Sequence, residues 1–131
     1  MTSPPQDFTD VPVNRFLGFE MTRRDEKSAV ISMRPDRLHA QEYGVIHGGI
    51  LSTLADTAAV YTIQPLLAST DRLTSIEFKI NFLAAAVPEG RAIVASAELV
   101  RRGKRVAVAR VDVHQGETHV ATGLFTYLIA G

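Results

Sequence analysis

The chain has 131 residues, 46% apolar and 21% charged, which suits one packed domain and excludes a disordered chain. Fourteen Lys and Arg balance fourteen Asp and Glu, so no overall field draws the protein to nucleic acid or to an anionic membrane. No cysteine is present, which excludes a disulfide framework, a thiolate nucleophile and a cysteine-based zinc site.

Residues 1–13 read as a loose, proline-containing lead-in to a single domain spanning 1–131, and 14–17 as a short helical turn before Gly18. The first ten residues lack the basic start and apolar run of a signal peptide, and cytoplasm is the expected compartment. Residues 19–24 and 28–33 read as a hairpin around the charged turn Asp25-Glu26-Lys27, with Pro35 ending the second strand. From Gly48 to about Gln64, Ile50, Leu51, Leu54, Ala55, Ala58, Ala59 and Thr62 recur three and four apart, which predicts a helix closed by Pro65. The remaining helix positions are also mostly apolar or small, so other elements should enclose it nearly all round. At 14 residues, the apolar stretch 50–63 has the length of a buried helix and not of a membrane span.

Strands follow. Over 73–83, Thr74, Ile76, Phe78, Ile80 and Phe82 alternate with polar residues, predicting a half-buried strand. Residues 92–100 and 106–113 alternate similarly across the turn at Gly103, and 119–129 makes the last strand after Gln115-Gly116-Glu117. The summed order predicts an α+β fold, a curved antiparallel sheet around one long helix. Such a sheet leaves edges and one helix flank uncovered, so at least a dimer is expected.

Between Glu42 and Asp71 the single formally charged side chain is Asp56, in mid-helix. Aspartate is a poor helix former by roughly half a kcal/mol or more against Ala, and burying it unpaired costs several kcal/mol beyond that. Two readings stand open: a structural acid bonded to Ser52 or to a backbone donor across an interface, and a functional carboxylate. Upstream, His47-Gly48-Gly49 opens the helix. Glycines there admit a ligand close to the backbone, and free N–H groups favour developing negative charge. The Gly48 N–H is thereby a candidate oxyanion donor, a role worth about 3 kcal/mol in acyl transfer; the alternative is a tight turn capped by His47.

The string His47-Gly48-Gly49, with Leu54-Ala55-Asp56 downstream and Gln41-x-x-Gly44 before it, resembles the hallmark of the PaaI-like (phenylacetate-degradation type) hotdog thioesterases. Ile80-Asn81-Phe82-Leu83 is similar to the strand after that family's helix, and the likeness spans roughly residues 14–128. It implies a hotdog fold and an acyl-CoA thioesterase with Asp56 as nucleophile or general base. The Gly48 amide would polarise the carbonyl, and Gln41 would hold the attacking water or the thioester end. That position is often Asn in the family and Gln in some 4-hydroxybenzoyl-CoA thioesterases. His47 is implied to shape the loop, Gly49 to line the substrate, and Thr74 or Ser75, with Ser75 preferred, to supply an assisting hydroxyl. The resemblance further implies sites at a homodimer interface, a dimer of dimers, and no cofactor or metal beyond the coenzyme A of the substrate.

Arg101, Arg102, Lys104 and Arg105 surround Gly103 and suit the phosphates of coenzyme A; a solvated hairpin tip explains them equally. The sequence has no G-x-S-x-G elbow, no H-E-x-x-H and no P-loop. A hotdog hydratase or dehydratase and a non-catalytic acyl-CoA-binding module are the rival functions, the first weakened by the missing D-x-N-P-x-H pattern, the second by the cost of retaining Asp56.

Overall fold

Six strands, β1 (Glu20–Arg24), β2 (Ser28–Met33), β3 (Arg72–Phe82), β4 (Ile93–Arg102), β5 (Val106–Gln115) and β6 (Thr118–Ala130), form one antiparallel sheet in the order β1-β2-β4-β5-β6-β3. This computed structural model describes residues 7–131; the first six residues of the expected lead-in lie outside them. Against the sheet lies the long helix α2 (Gly48–Ile63), and a shorter helix α1 (Pro12–Phe16) precedes β1. The α+β architecture expected from the pattern and the hotdog fold implied by the resemblance are the ones observed.

Alternation decides which face the helix covers. Ala29, Ile31 and Met33 of β2, Ile93, Ala95 and Ala97 of β4, and Ala107, Ala109, Val111 and Val113 of β5 are all buried. The run of alanines at the centre of this face brings the helix backbone close to the sheet, where larger side chains would hold it off. Leu51, Leu54, Ala55, Ala58, Ala59, Thr62 and Ile63 are the buried helix residues; Ser52, Thr53, Asp56, Thr57, Val60 and Tyr61 are partly exposed. One flank of the helix therefore stays open in a single chain. The helix hydroxyls need no outside partner, because Ser52, Thr53, Thr57 and Thr62 each donate to the carbonyl four residues back, at 2.7–3.0 Å. Pro65 ends the helix inside a 3-10 turn, Gln64–Leu66.

β3 departs from the expected half-buried strand. It is the sheet edge, and most of its residues are exposed on both faces. A bulge between Ser75 and Glu77 breaks the alternation, so Thr74 pairs with Leu128 while Phe78 pairs with Phe125, whose rings stack at 5.0 Å. The five residues assigned to one face are thus divided between two. Where β3 meets β6, Gly123 allows close approach: a Cβ there would lie 2.5 Å from the Lys79 carbonyl oxygen.

Two connections position α2, one at its start and one near its end. Gln115, buried at the end of β5, accepts the Val87 N–H at 2.8 Å and donates to the carbonyls of Val87 and Arg91 at 2.9 and 2.8 Å. This clamps residues 83–92, whose Ala86 carbonyl accepts the Ile46 N–H at 2.9 Å. Ahead of β1, Phe8 packs edge-on against Tyr61 of α2, and the buried Asn14 donates to the Phe8 carbonyl at 3.0 Å. Residues 7–17 thereby form part of the packed body.

Candidate active site

The loop before α2 closes on itself. The Gln41 N–H donates to the Val45 carbonyl, the Gly44 N–H to the Gln41 carbonyl and the His47 N–H to the His39 carbonyl, at 2.8–2.9 Å. Gly44 sits at φ +83°, a backbone state that glycine adopts without the Cβ penalty. The Gln41 Oε1 accepts the Tyr43 N–H, which turns the amide so that its NH2 group remains available to donate.

His47 is the helix cap. Its Nδ1 accepts the Gly49 N–H at 2.8 Å, which leaves the ring proton to Nε2, and its carbonyl accepts from Ile50 and Leu51. With Gly49, Ile50 and Leu51 satisfied, Gly48 N–H is the amide of the first turn that has no acceptor among the described residues. The Phe82 ring lies beside it, 3.1 Å from where a Gly48 Cβ would stand.

Asp56 lies eight residues further along, partly exposed and in no ion pair among the described residues. Of the structural partners considered from the sequence, Ser52 does not hold it. Ser52 donates to the Gly48 carbonyl instead, and the donor to Asp56 is the Tyr127 hydroxyl, which bonds Oδ1 and lies 3.2 Å from the Asp56 carbonyl oxygen. Tyr127 was not singled out by the sequence, because an aromatic residue at an alternating strand position reads as core. Its burial, then its bond to Asp56 and the nearby negative charge, push its ionisation well above the ordinary tyrosine value of 10.0.

Ser75 pairs directly with Tyr127 across β3 and β6 and so shares its face; Thr74 pairs with Leu128 on the opposite face. Gln41, His47, Gly48 and Gly49 therefore gather at the start of α2, and Asp56, Tyr127 and Ser75 near its middle. A rise of 1.5 Å per residue separates Gly48 from Asp56 by about 12 Å along the axis, too far for both to act on one carbonyl.

Arg101, Arg102, Lys104 and Arg105 are exposed at the β4–β5 turn, near the other end of the helix, where Arg102 reaches the Leu66 carbonyl at 3.5 Å. Beside that end is a concavity of about 720 Å³ lined in part by Val60, Gln64, Leu67, Asp71 and Leu73. Val60 and Gln64 follow Asp56 one and two turns along the same helical row. Among the aromatic side chains, Tyr61 packs on Phe8, Phe78 on Phe125, and Phe82 reaches the Gly48 end.

His114 and His119 stack at 4.5 Å, with the His119 Nε2 2.8 Å from the Asp112 Oδ1. No group of three or more His, Cys, Asp or Glu among the described residues is arranged to hold a metal ion. No helix among them is long and apolar enough to cross a membrane.

The sheet order and the single long helix, which His47 caps ahead of two glycines, define a hotdog protein. Residues 43–122 match the sequence pattern of the thioesterase superfamily, and the chain belongs to that family. It is 25% identical to the medium/long-chain acyl-CoA thioesterase YigI of Escherichia coli K12, over 91% of this chain and 86% of that one. A thioesterase family protein from Silicibacter pomeroyi superposes with a TM-score of 0.84 at 28% identity, covering 93% of this chain and 91% of the other. The Escherichia coli PaaI protein of the phenylacetic acid degradation operon has a TM-score of 0.85 at 24% identity, covering 95% and 88%.

Proposed function

We propose that the protein hydrolyses acyl-CoA thioesters in the cytoplasm, in sites completed between two subunits. The observation that carries this reading is the separation of the two half-sites: an unpaired amide at Gly48 and an oriented carboxylate at Asp56, about 12 Å apart on one helix. A second copy set antiparallel would bring its Gly48 and Gln41 to the first copy's Asp56. The uncovered edge strand β3, where Ile76, Phe78 and Phe82 are all close to half exposed or more, favours such pairing.

In this site the Gly48 N–H receives the carbonyl oxygen as it becomes an oxyanion, and Gln41 holds water or the thioester end. Asp56 then acts in one of two ways. As a general base, it takes a proton from water while the water oxygen bonds to the acyl carbon; collapse breaks the C–S bond and the thiolate recovers that proton. As a nucleophile, it bonds to the acyl carbon and expels the thiolate, and water cleaves the mixed anhydride to give the acid, a released proton and free Asp56. Ser75, on the face shared with Tyr127, would assist, and the Arg101–Arg105 cluster would hold coenzyme A phosphates.

The concavity beyond Asp56 has the apolar walls Val60, Leu67 and Leu73 for an acyl chain. Together with the substrates in YigI's name, this puts medium straight-chain acyl-CoAs first in a substrate screen.

Steady-state assays with straight-chain and aryl acyl-CoAs, run beside Asp56→Asn, test the reading: turnover by the parent and its loss in the variant are expected. Turnover of no thioester, or an Asp56→Asn that retains full rate, would refute it. Single turnover in heavy-oxygen water separates the routes, since label entering Asp56 marks the nucleophile.

A further inference from the structure

Tyr127 is 1% exposed, fixed in β6 with Ser75 opposite it on one side and Ala107 on the other. It is the hydrogen-bond donor to the Asp56 side chain, through Oδ1, and its hydroxyl also lies 3.2 Å from the Asp56 carbonyl oxygen, so one side chain holds both the carboxylate and the backbone that carries it. The other carboxylate oxygen, Oδ2, has no hydrogen-bond partner among the described residues. No side-chain oxygen among them is both sealed from solvent and unpaired, so Oδ2 reaches accessible space.

We infer that Tyr127 is a positioning residue for catalysis: by holding Oδ1 it fixes the Asp56 rotamer and leaves Oδ2 as the oxygen that meets the acyl carbon or the attacking water. This rests on the acyl-CoA hydrolysis reading, and it applies to both routes. The Tyr127 proton is held far above the working range by burial and by Asp56 itself, so the hydroxyl stays a donor throughout and neither gives up nor gains a proton in the cycle. A carboxylate freed from this tether would sample other rotamers, and small misplacements of a reacting group cost large factors in rate.

The test compares Tyr127→Phe, Phe125→Leu and Asp56→Asn in the full chain, with kcat, KM and Tm measured on an acyl-CoA that the parent turns over. Tyr127→Phe keeps the ring; kcat should fall by about ten- to a hundredfold with KM nearly unchanged and Tm lowered no more than in Phe125→Leu. Phe125→Leu loosens the same strand without touching Asp56, and should lower Tm while leaving kcat close to parental. An unchanged kcat in Tyr127→Phe overturns the inference, as does an equal kcat loss in Phe125→Leu. An inactive Asp56→Asn beside a fully active Tyr127→Phe sinks the role of Tyr127 alone, whereas an active Asp56→Asn sinks the hydrolysis reading and this inference with it.

Discussion

At the scale of single residues, the site is a set of groups whose hydrogen-bonding capacity is deliberately incomplete. The Gly48 N–H, the Gln41 NH2 group and the Asp56 Oδ2 lack partners among the described residues, while the atoms beside them are bonded. Gly48 offers a clean test, because proline is well tolerated at the first position of a helix and His47, at φ −61° and ψ 132°, already has the conformation that precedes proline. Gly48→Pro should therefore fold, with the half-exposed Phe82 ring moving slightly, and lose about 10²–10³ in kcat through the missing donor. Circular dichroism and steady-state kinetics would check it; a folded variant at parental rate would remove Gly48 from the mechanism.

Tyr127 also links stability to pH. Folding holds its proton more tightly than the unfolded chain does, so the stabilisation is intact below the ordinary tyrosine value of 10.0 and is lost as pH rises above it. Unfolding free energy should fall by about 1.4 kcal/mol per pH unit there from this group alone, with the partly buried Tyr61 acting in the same direction. Urea titrations between pH 9 and about 11 should show the slope reduced in Tyr127→Phe; equal slopes would contradict the buried, bonded hydroxyl.

Among the elements, β3 and α2 show how much was legible in advance. The helix was readable because its apolar spacing and its Pro65 stop agree, and the structure ends it within a residue of the expected position. The strand pattern of the second half was readable for the same reason. The bulge after Ser75 was not, since it requires no glycine or proline and shows itself only in the pairing with β6. Gly123, by contrast, is visible in the sequence but its reason is not. Only the pairing reveals that a side chain there would meet the Lys79 carbonyl. Gly123→Ala should force β3 from β6 and destabilise the fold by about 1–3 kcal/mol, as overpacking typically does; a melting temperature equal to the parent's would contradict that packing.

For the molecule as a whole, the sequence pointed to Asp56 and to the His47-Gly48-Gly49 start, and the resemblance to their meeting across subunits, but neither pointed to Tyr127, which comes from a strand 71 residues away. Under the proposed function, the eight residues of helix between Gly48 and Asp56 make one chain half of a site. The partly open helix flank and the exposed edge β3 are the surfaces through which a second copy would complete it. If subunits share each site, two inactive variants damaged in different halves should restore each other. Asp56→Asn and Gly48→Pro chains co-expressed under different tags, and purified through both, should regain activity in the mixed species up to roughly half that of a parental dimer, one intact site in two. Mixed dimers that remain as inactive as either variant alone would show that Asp56 and Gly48 do not act on the same thioester.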